Sequence, residues 1–223
     1  MIIPISYPLN TGTPLYPGTS GIKIVAEKSM SRGDSANTSI ITMSSHAGTH
    51  VDVPRHFCQK GRSVFDTFQR VNSFSPTYCI ILPAIADQGI RADDLIELIS
   101  EKGDAEAILI RTGSCELRST DPASYASEHP WVHADVAELL RKGCPKLRLL
   151  GIDTISISTP AHRLEGRNSH RAFLCHKNPI CLLEDADLSS VLSVDRFTLT
   201  LFPWLIEDLD SVPVTAFLKT IPR

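Results

Sequence analysis

Apolar residues along this chain fall into short runs separated by prolines, glycines and polar clusters, a pattern that predicts many strands and few helices. Runs of strand length and β-branched or apolar character occupy residues 22–27, 39–44, 78–83, 107–111, 147–152, 180–183, 197–202 and 212–218. Helical periodicity is confined to two places. Residues 91–101 carry apolar side chains at 92, 95, 96, 98 and 99, with Asp93 and Asp94 in the first turn, where carboxylates favour a helix start. Residues 134–142 form a second helical stretch that Gly143 ends. Pro4, Pro8, Pro14 and Pro17 make residues 1–20 an irregular arm with one short strand. Residues 116–134 and 158–172 read as long polar connections. The sum is one mixed α/β domain over residues 1–223, with roughly eight strands and two or three helices.

Composition narrows the partners. A net charge of −3, with Lys and Arg scattered, gives no basic patch for nucleic acid or an acidic membrane surface. No apolar run approaches the ~18 residues that span a bilayer. The opening Met1-Ile2-Ile3-Pro4-Ile5-Ser6 has no charged leader ahead of its apolar residues, so no signal peptide is expected. The six cysteines, at 58, 79, 115, 144, 175 and 181, include no Cys-x-x-Cys pair and match no zinc or disulfide framework. Free thiols are therefore expected, and with them a cytoplasmic location.

Candidate chemistry is concentrated in one stretch. His46, His50, Asp52 and His56 share parity, so an extended backbone would point all four side chains to one face. A helix would pair His46 with His50, but Gly48, Thr49, Val51, Val53 and Pro54 oppose helix there. The apolar run before the cluster suggests instead a strand entering a turn, with Gly48 supplying a tight or left-handed conformation. For any single histidine, a hydrogen-bonded core residue is the simpler explanation. Three of the chain's eight histidines beside an aspartate favour a divalent metal with an open position, or acid–base chemistry. Ser44 and Ser45 precede His46, but no Gly-x-Ser-x-Gly elbow exists and no cysteine has an activating neighbour. Further ligands must come from the second half, where His162, His170, His176 and Glu184 are available. Spacing alone makes His162 and His176 solvated loop residues and does not select His170 and Glu184.

The string His46-Ala47-Gly48-Thr49-His50-Val51-Asp52-Val53-Pro54-Arg55-His56-Phe57 resembles the signature of the metal-dependent cyclase family, which includes bacterial kynurenine formamidases and isatin hydrolases. The likeness extends to Pro14-Leu15-Tyr16-Pro17-Gly18, Leu109-Ile110-Arg111-Thr112-Gly113, Leu150-Gly151-Ile152-Asp153-Thr154 and Leu183-Glu184-Asp185. It implies a swivelling β/β/α fold in homo-oligomers, dimers or tetramers. It implies that His46, His50 and Asp52 bind metal, with Asp52 bridging to a second ion held also by His170 and Glu184. His56 would be the acid–base residue, and Tyr16 a substrate contact. His162 stays as the weaker candidate for the later histidine ligand. The implied cofactor is one or two divalent ions, zinc first and manganese second. The implied substrate is a small amide or lactone whose carbonyl is attacked by metal-activated hydroxide, N-formylkynurenine foremost. Tyr16 stands where formamidases often carry Trp, and Ser211 and Val212 replace small residues common at those positions. These departures bear on the substrate more than on the chemistry.

Overall fold

In a computed structural model, residues 1–70, 72–191 and 196–221 are described, and among them the chain forms twelve strands and six α-helices. The strands are β1 (Ile2–Pro4), β2 (Lys23–Lys28), β3 (Thr38–Thr42), β4 (His50–Asp52), β5 (Ser73–Ile81), β6 (Gly89–Ile90), β7 (Ala107–Arg111), β8 (Trp131–Val132), β9 (Leu149–Ile152), β10 (Cys181–Glu184), β11 (Arg196–Pro203) and β12 (Ser211–Thr220). The helices are α1 (Val64–Phe68), α2 (Ala92–Ile99), α3 (Cys115–Thr120), α4 (Pro122–Ser127), α5 (Asp135–Gly143) and α6 (Arg163–Leu174).

Eight strands share one sheet in the order β1-β12-β11-β5-β7-β9-β10-β4, and β4 pairs back onto β12. Seven strands thus close into a barrel, which removes free edges from the ring. Strands β5, β7, β9 and β10 run parallel, and the remaining pairings of this sheet are antiparallel. The free side of β12 is divided: β4 pairs with Ser211, Val212 and Pro213, while β1 pairs with residues 217–219.

Both faces of the ring are apolar, which is why its strands read as continuous runs rather than alternating ones. Val51, Leu109, Leu183, Leu199, Val212 and Ala216 belong to one buried cluster, which Val64 and Phe68 of α1 join. Ile108, Ile110, Leu150 and Leu182 belong to another, with Leu95 of α2, Leu140 of α5 and Phe173 of α6. Consecutive residues such as Leu182 and Leu183 divide between the clusters, as period-2 geometry requires. Polar side chains on the helix-facing side of β4 and β10 therefore meet α6.

Several expectations need correction. The six helices exceed the two or three anticipated, and the strands exceed eight. Residues 116–134 are not an open connection: they hold α3, α4 and β8, and Asp121 caps α4 by accepting a hydrogen bond from Ser124 N at 3.1 Å. Residues 158–172 are mostly helix, because α6 buries Gly166, Ser169 and His170 beside only Phe173 and Leu174, so its inward stripe looks polar in the sequence. The strand expected over residues 39–44 exists, but it forms an exposed two-stranded ribbon with β2 and does not lead the histidine cluster into the sheet. β4 does that.

The cysteines also differ from expectation. Cys58 and Cys175 form a disulfide, their Cα atoms 5.6 Å apart and 117 residues apart in sequence. Sequence spacing could not reveal a pair so distant. Two of the six are therefore not free thiols, and the inference from thiols to cytoplasm loses that premise. Among the described residues no helix is long and apolar enough to cross a membrane.

Candidate metal centre

Three residues of β4 anchor the site. Val51 packs into the apolar cluster on one side of the sheet, so His50 and Asp52 point to the other. The pairing registers then fix their neighbours: Glu184 of β10 lies opposite His50, and Ser211 of β12 lies opposite Asp52. His46 and His56 arrive from the flanking turns rather than from the strand itself. Gly48 adopts φ 65° in the turn before β4, and a Cβ there would sit 2.2 Å from Leu9 Cδ2, so only glycine fits without displacing Leu9. After β4, Pro54–His56 form a short 3-10 turn that brings His56 back over the strand.

His170 comes from α6 as it crosses the barrel. The helix approaches the segment after β9 closely at Gly166, where a Cβ would meet Ser158 Cβ at 2.2 Å. That same segment holds Glu184, since Ile157 N and Ser156 Oγ donate to its Oε1 at 2.7 and 3.1 Å.

The resulting cluster is tight. His50 Nε2 lies 3.4 Å from Glu184 Oε2 and 3.6 Å from Asp52 Oδ1, while His170 Nε2 lies 3.6 Å from Glu184 Oε1 and 4.0 Å from Asp52 Oδ2. His46 Nδ1 is 3.1 Å from Asp52 Oδ1, and His56 Nε2 is 3.7 Å from Asp52 Oδ2. His50 Nδ1 donates to Gly48 O at 2.7 Å, and His170 Nδ1 donates to Gly166 O at 2.8 Å. Each bond leaves Nε2 as the lone-pair nitrogen facing the cluster, the arrangement of metal-binding imidazoles.

Buried polar atoms without partners test whether an ion fits. His50 Nε2 and both carboxylate oxygens of Asp52 are buried and lack a hydrogen-bond partner among the described residues. Leaving three such atoms unsatisfied is costly, and a divalent cation would satisfy them together. Two overlapping trios have ligand atoms within 4.8 Å of one another: His46, Asp52 and His56, and His50, Asp52 and Glu184. Asp52 is common to both, as a bridging carboxylate would be. The donors are nitrogen and oxygen only, which suits zinc or manganese.

In the metal-free chain these same groups stabilise one another's charge. Burial opposes the Asp52 carboxylate, but His46, His56 and His50 outweigh it and hold its pKa well below the usual range. Glu184 is likewise penalised by burial yet lowered to about 2, chiefly by His170 and His50. Burial disfavours a charged His46, yet Asp52 and Asp210 overcome it and raise that imidazole to about 10.

Asp210 escaped the sequence reading. Its Oδ2 accepts from His56 Nδ1 at 2.8 Å and lies 3.0 Å from His46 Nε2, so one carboxylate fixes two imidazoles. Only its place just before the last apolar run could have drawn attention to it. Of the remaining histidines, His162 stacks on Trp131 with ring centroids 5.2 Å apart, and exposed His176 contacts Asn178 O. Neither joins the cluster. Tyr16 does line the same cavity, of about 520 Å³, together with Phe57, Ile155, Arg163 and Arg167.

Comparison with known proteins gives the chain's family. A family model described as "Putative cyclase" matches residues 3–159. The chain belongs to the cyclase family. It is 32% identical over 220 residues to a kynurenine formamidase of Bacillus thuringiensis subsp. konkukian, covering 98% of this chain and 97% of that protein. A kynurenine formamidase of Bacillus anthracis is 31% identical over the same shares. Among solved structures, isatin hydrolase A from Labrenzia aggregata bound to benzyl benzoate superposes with TM-score 0.81 at 18% identity, covering 98% of this chain and 93% of that one. A predicted metal-dependent hydrolase from Bacillus stearothermophilus gives TM-score 0.75 at 21% identity, covering 98% and 97%. These structural likenesses concern the fold.

Proposed function

We propose that this cyclase-family protein is a metal-dependent hydrolase of non-peptide amides, an arylformamidase that converts N-formyl-L-kynurenine to L-kynurenine and formate. The observation that carries the reading is the set of buried, unpartnered ligand atoms on His50 and Asp52, directly beside an imidazole whose far nitrogen is fixed. His46, His50, Asp52, His170 and Glu184 would hold one or two divalent ions, zinc first and manganese second. When bound, such an ion supplies Lewis acidity, lowering the pKa of a coordinated water from 15.7 towards ~7 and polarising a carbonyl.

The protein's own groups do the rest. His56 donates from Nδ1 to Asp210, so Nε2 is the nitrogen that accepts a proton from the attacking water and returns it to the departing amine. Asp210 keeps that tautomer and orients the ring. Ser156 and the Ile157 amide hold Glu184 in place throughout. Tyr16 and Phe57 flank the cavity as apolar walls for an aryl group. The kynurenine formamidase relatives, matched along nearly the whole chain, favour this substrate.

A homo-oligomer, dimer or tetramer, is part of the same proposal. Ile24, Val25, Ile40 and Ile41 of the β2–β3 ribbon are each about half exposed or more, a large apolar surface for a single chain.

The deciding assay compares chelated and metal-restored protein on N-formylkynurenine, isatin and simple lactones. Activity on the first that chelators abolish and zinc or manganese restores supports the proposal. Turnover unaffected by chelation points to a nucleophilic hydrolase, and no turnover of any compound points to a metal-binding protein without this activity.

A further inference from the structure

Helix α6 does more than deliver His170. Arg163, Arg167 and His170 stand at i, i+4 and i+7, so they share one stripe of the helix. His170 faces Glu184 at the floor of the cavity, and both arginines line the same cavity above it. Among the described residues neither arginine has an ion pair or a side-chain hydrogen bond. The arginine ion pairs among the described residues belong to Arg55, Arg118, Arg148 and Arg196, and side-chain hydrogen bonds involve Arg32, Arg111 and Arg141 besides. The acidic residues lining the cavity, Asp52 and Glu184, are both turned to the histidine cluster. Among the described residues the cavity lining thus offers two unpaired guanidinium groups and no carboxylate outside the histidine cluster.

We propose that Arg163 and Arg167 bind a carboxylate on the substrate, and that the preferred substrate is an aryl amide carrying a carboxylate away from the scissile carbonyl. The chemistry is that of bidentate guanidinium–carboxylate recognition, for which arginine is better suited than lysine. Helical rise sets the scale: Arg167 lies about 4.5 Å and Arg163 about 10 Å from His170 along the axis. With the carbonyl at the cluster, that distance spans one aromatic ring and a short acid-bearing tether. Phe57, Ile155 and Tyr16 supply apolar surface for the ring between the two ends. A neutral cyclic amide such as isatin offers these arginines nothing, so the pair separates the two substrate types. The inference rests on the hydrolase reading for its reaction, but its binding component stands without turnover.

The test uses zinc-loaded protein and two probes that differ in the acid-bearing tether, L-kynurenine and 2-aminoacetophenone, measured by titration calorimetry. The wild type should bind L-kynurenine at least tenfold more tightly. In the Arg163→Gln/Arg167→Gln variant that preference should disappear, and Arg163→Lys/Arg167→Lys should restore part of it. Metal content and circular dichroism of each variant establish that the site and fold persist. In kinetics, the kcat/KM ratio of N-formylkynurenine over 2-formamidoacetophenone should fall at least tenfold in the glutamine variant, through KM. Equal affinity for both probes in the wild type, or a preference that survives the double glutamine change, overturns the inference. Hydrolysis of both formamides at equal efficiency would refute the carboxylate pair while leaving the amidase reading intact. Selective binding of L-kynurenine without any hydrolysis would do the reverse.

Discussion

The two halves of the candidate centre are built differently. Around His50, Asp52 and Glu184, side chains are only 1–3% exposed, and Nε2 of His50 and both oxygens of Asp52 lack partners. Around His46, His56 and Asp210, side chains are 25–34% exposed, and each imidazole rests on Asp210. A buried half with unsatisfied atoms favours a cation that would satisfy them, whereas the outer half is open to solvent and its imidazoles already have a carboxylate partner. The contrast suggests a division of labour: the inner residues would hold an ion together with His46, while His56, fixed by Asp210, would exchange protons. Asp52 belongs to both, since it also meets His46 and His56.

The strongest way to break that division is at Asp52. Asp52→Ala should remove bound metal almost completely and abolish turnover, because both trios lose their shared carboxylate; metal content unchanged by mass spectrometry would refute the bridging role. His56→Ala comes next. It should leave metal content largely intact and lower turnover by about two orders of magnitude, the usual worth of a positioned general acid–base group. Loss of metal in that variant would move His56 to the holding side of the comparison.

Gly166→Ala probes the inner half from behind. The added methyl would collide with Ser158, pushing α6 away from the segment that holds Glu184. A destabilisation of about 1–3 kcal/mol is expected from such overpacking, read by denaturant unfolding, together with weaker metal affinity. Unchanged stability would mean that α6 accommodates the shift.

The smallest effect concerns protons. In the metal-free protein His46 is raised from 6.5 to about 10, so at pH 7 it is charged and must lose a proton before it can bind a metal. Calorimetry in buffers of differing ionisation enthalpy should show proton release on zinc binding, and affinity should rise with pH. The stability sign is the opposite for the metal-free chain. A raised histidine pKa contributes stability that is complete below about 6.5 and is lost as pH climbs through about 10. Asp210, lowered chiefly by hydrogen bonds with His46 and His56, contributes stability present above the ordinary carboxylate range and lost as pH falls through its own lower value. Denaturation midpoints of the metal-free protein that rise from pH 7 to 10 would contradict this account of His46.

Much of the fold was legible because both faces of the barrel are apolar. Runs such as Ala107–Arg111 and Leu149–Ile152 need no partner information to be read as buried strands. α6 was illegible for the opposite reason: Ser169 and His170 occupy its inward stripe, so its buried polar residues erase its periodicity. In the site, parity rightly suggested that His50 and Asp52 share a face, but only β4 is extended. His46 and His56 reach the cluster through turns, which parity does not describe. Asp210 depends on the β4–β12 register, and that pairing joins residues more than 150 positions apart, so no local pattern encodes it.

The closure of the barrel has one more consequence. β4 is three residues long, and it is the seam at which the first third of the chain is stitched between β10 and β12 from its end. Closing a ring between segments so distant in sequence costs loop entropy and slows folding. Because His50 and Asp52 are two of its three residues and Glu184 lies across the seam, uptake of the proposed metal would also act as the clasp that fastens the ring, tying the assembly of the barrel to the supply of metal.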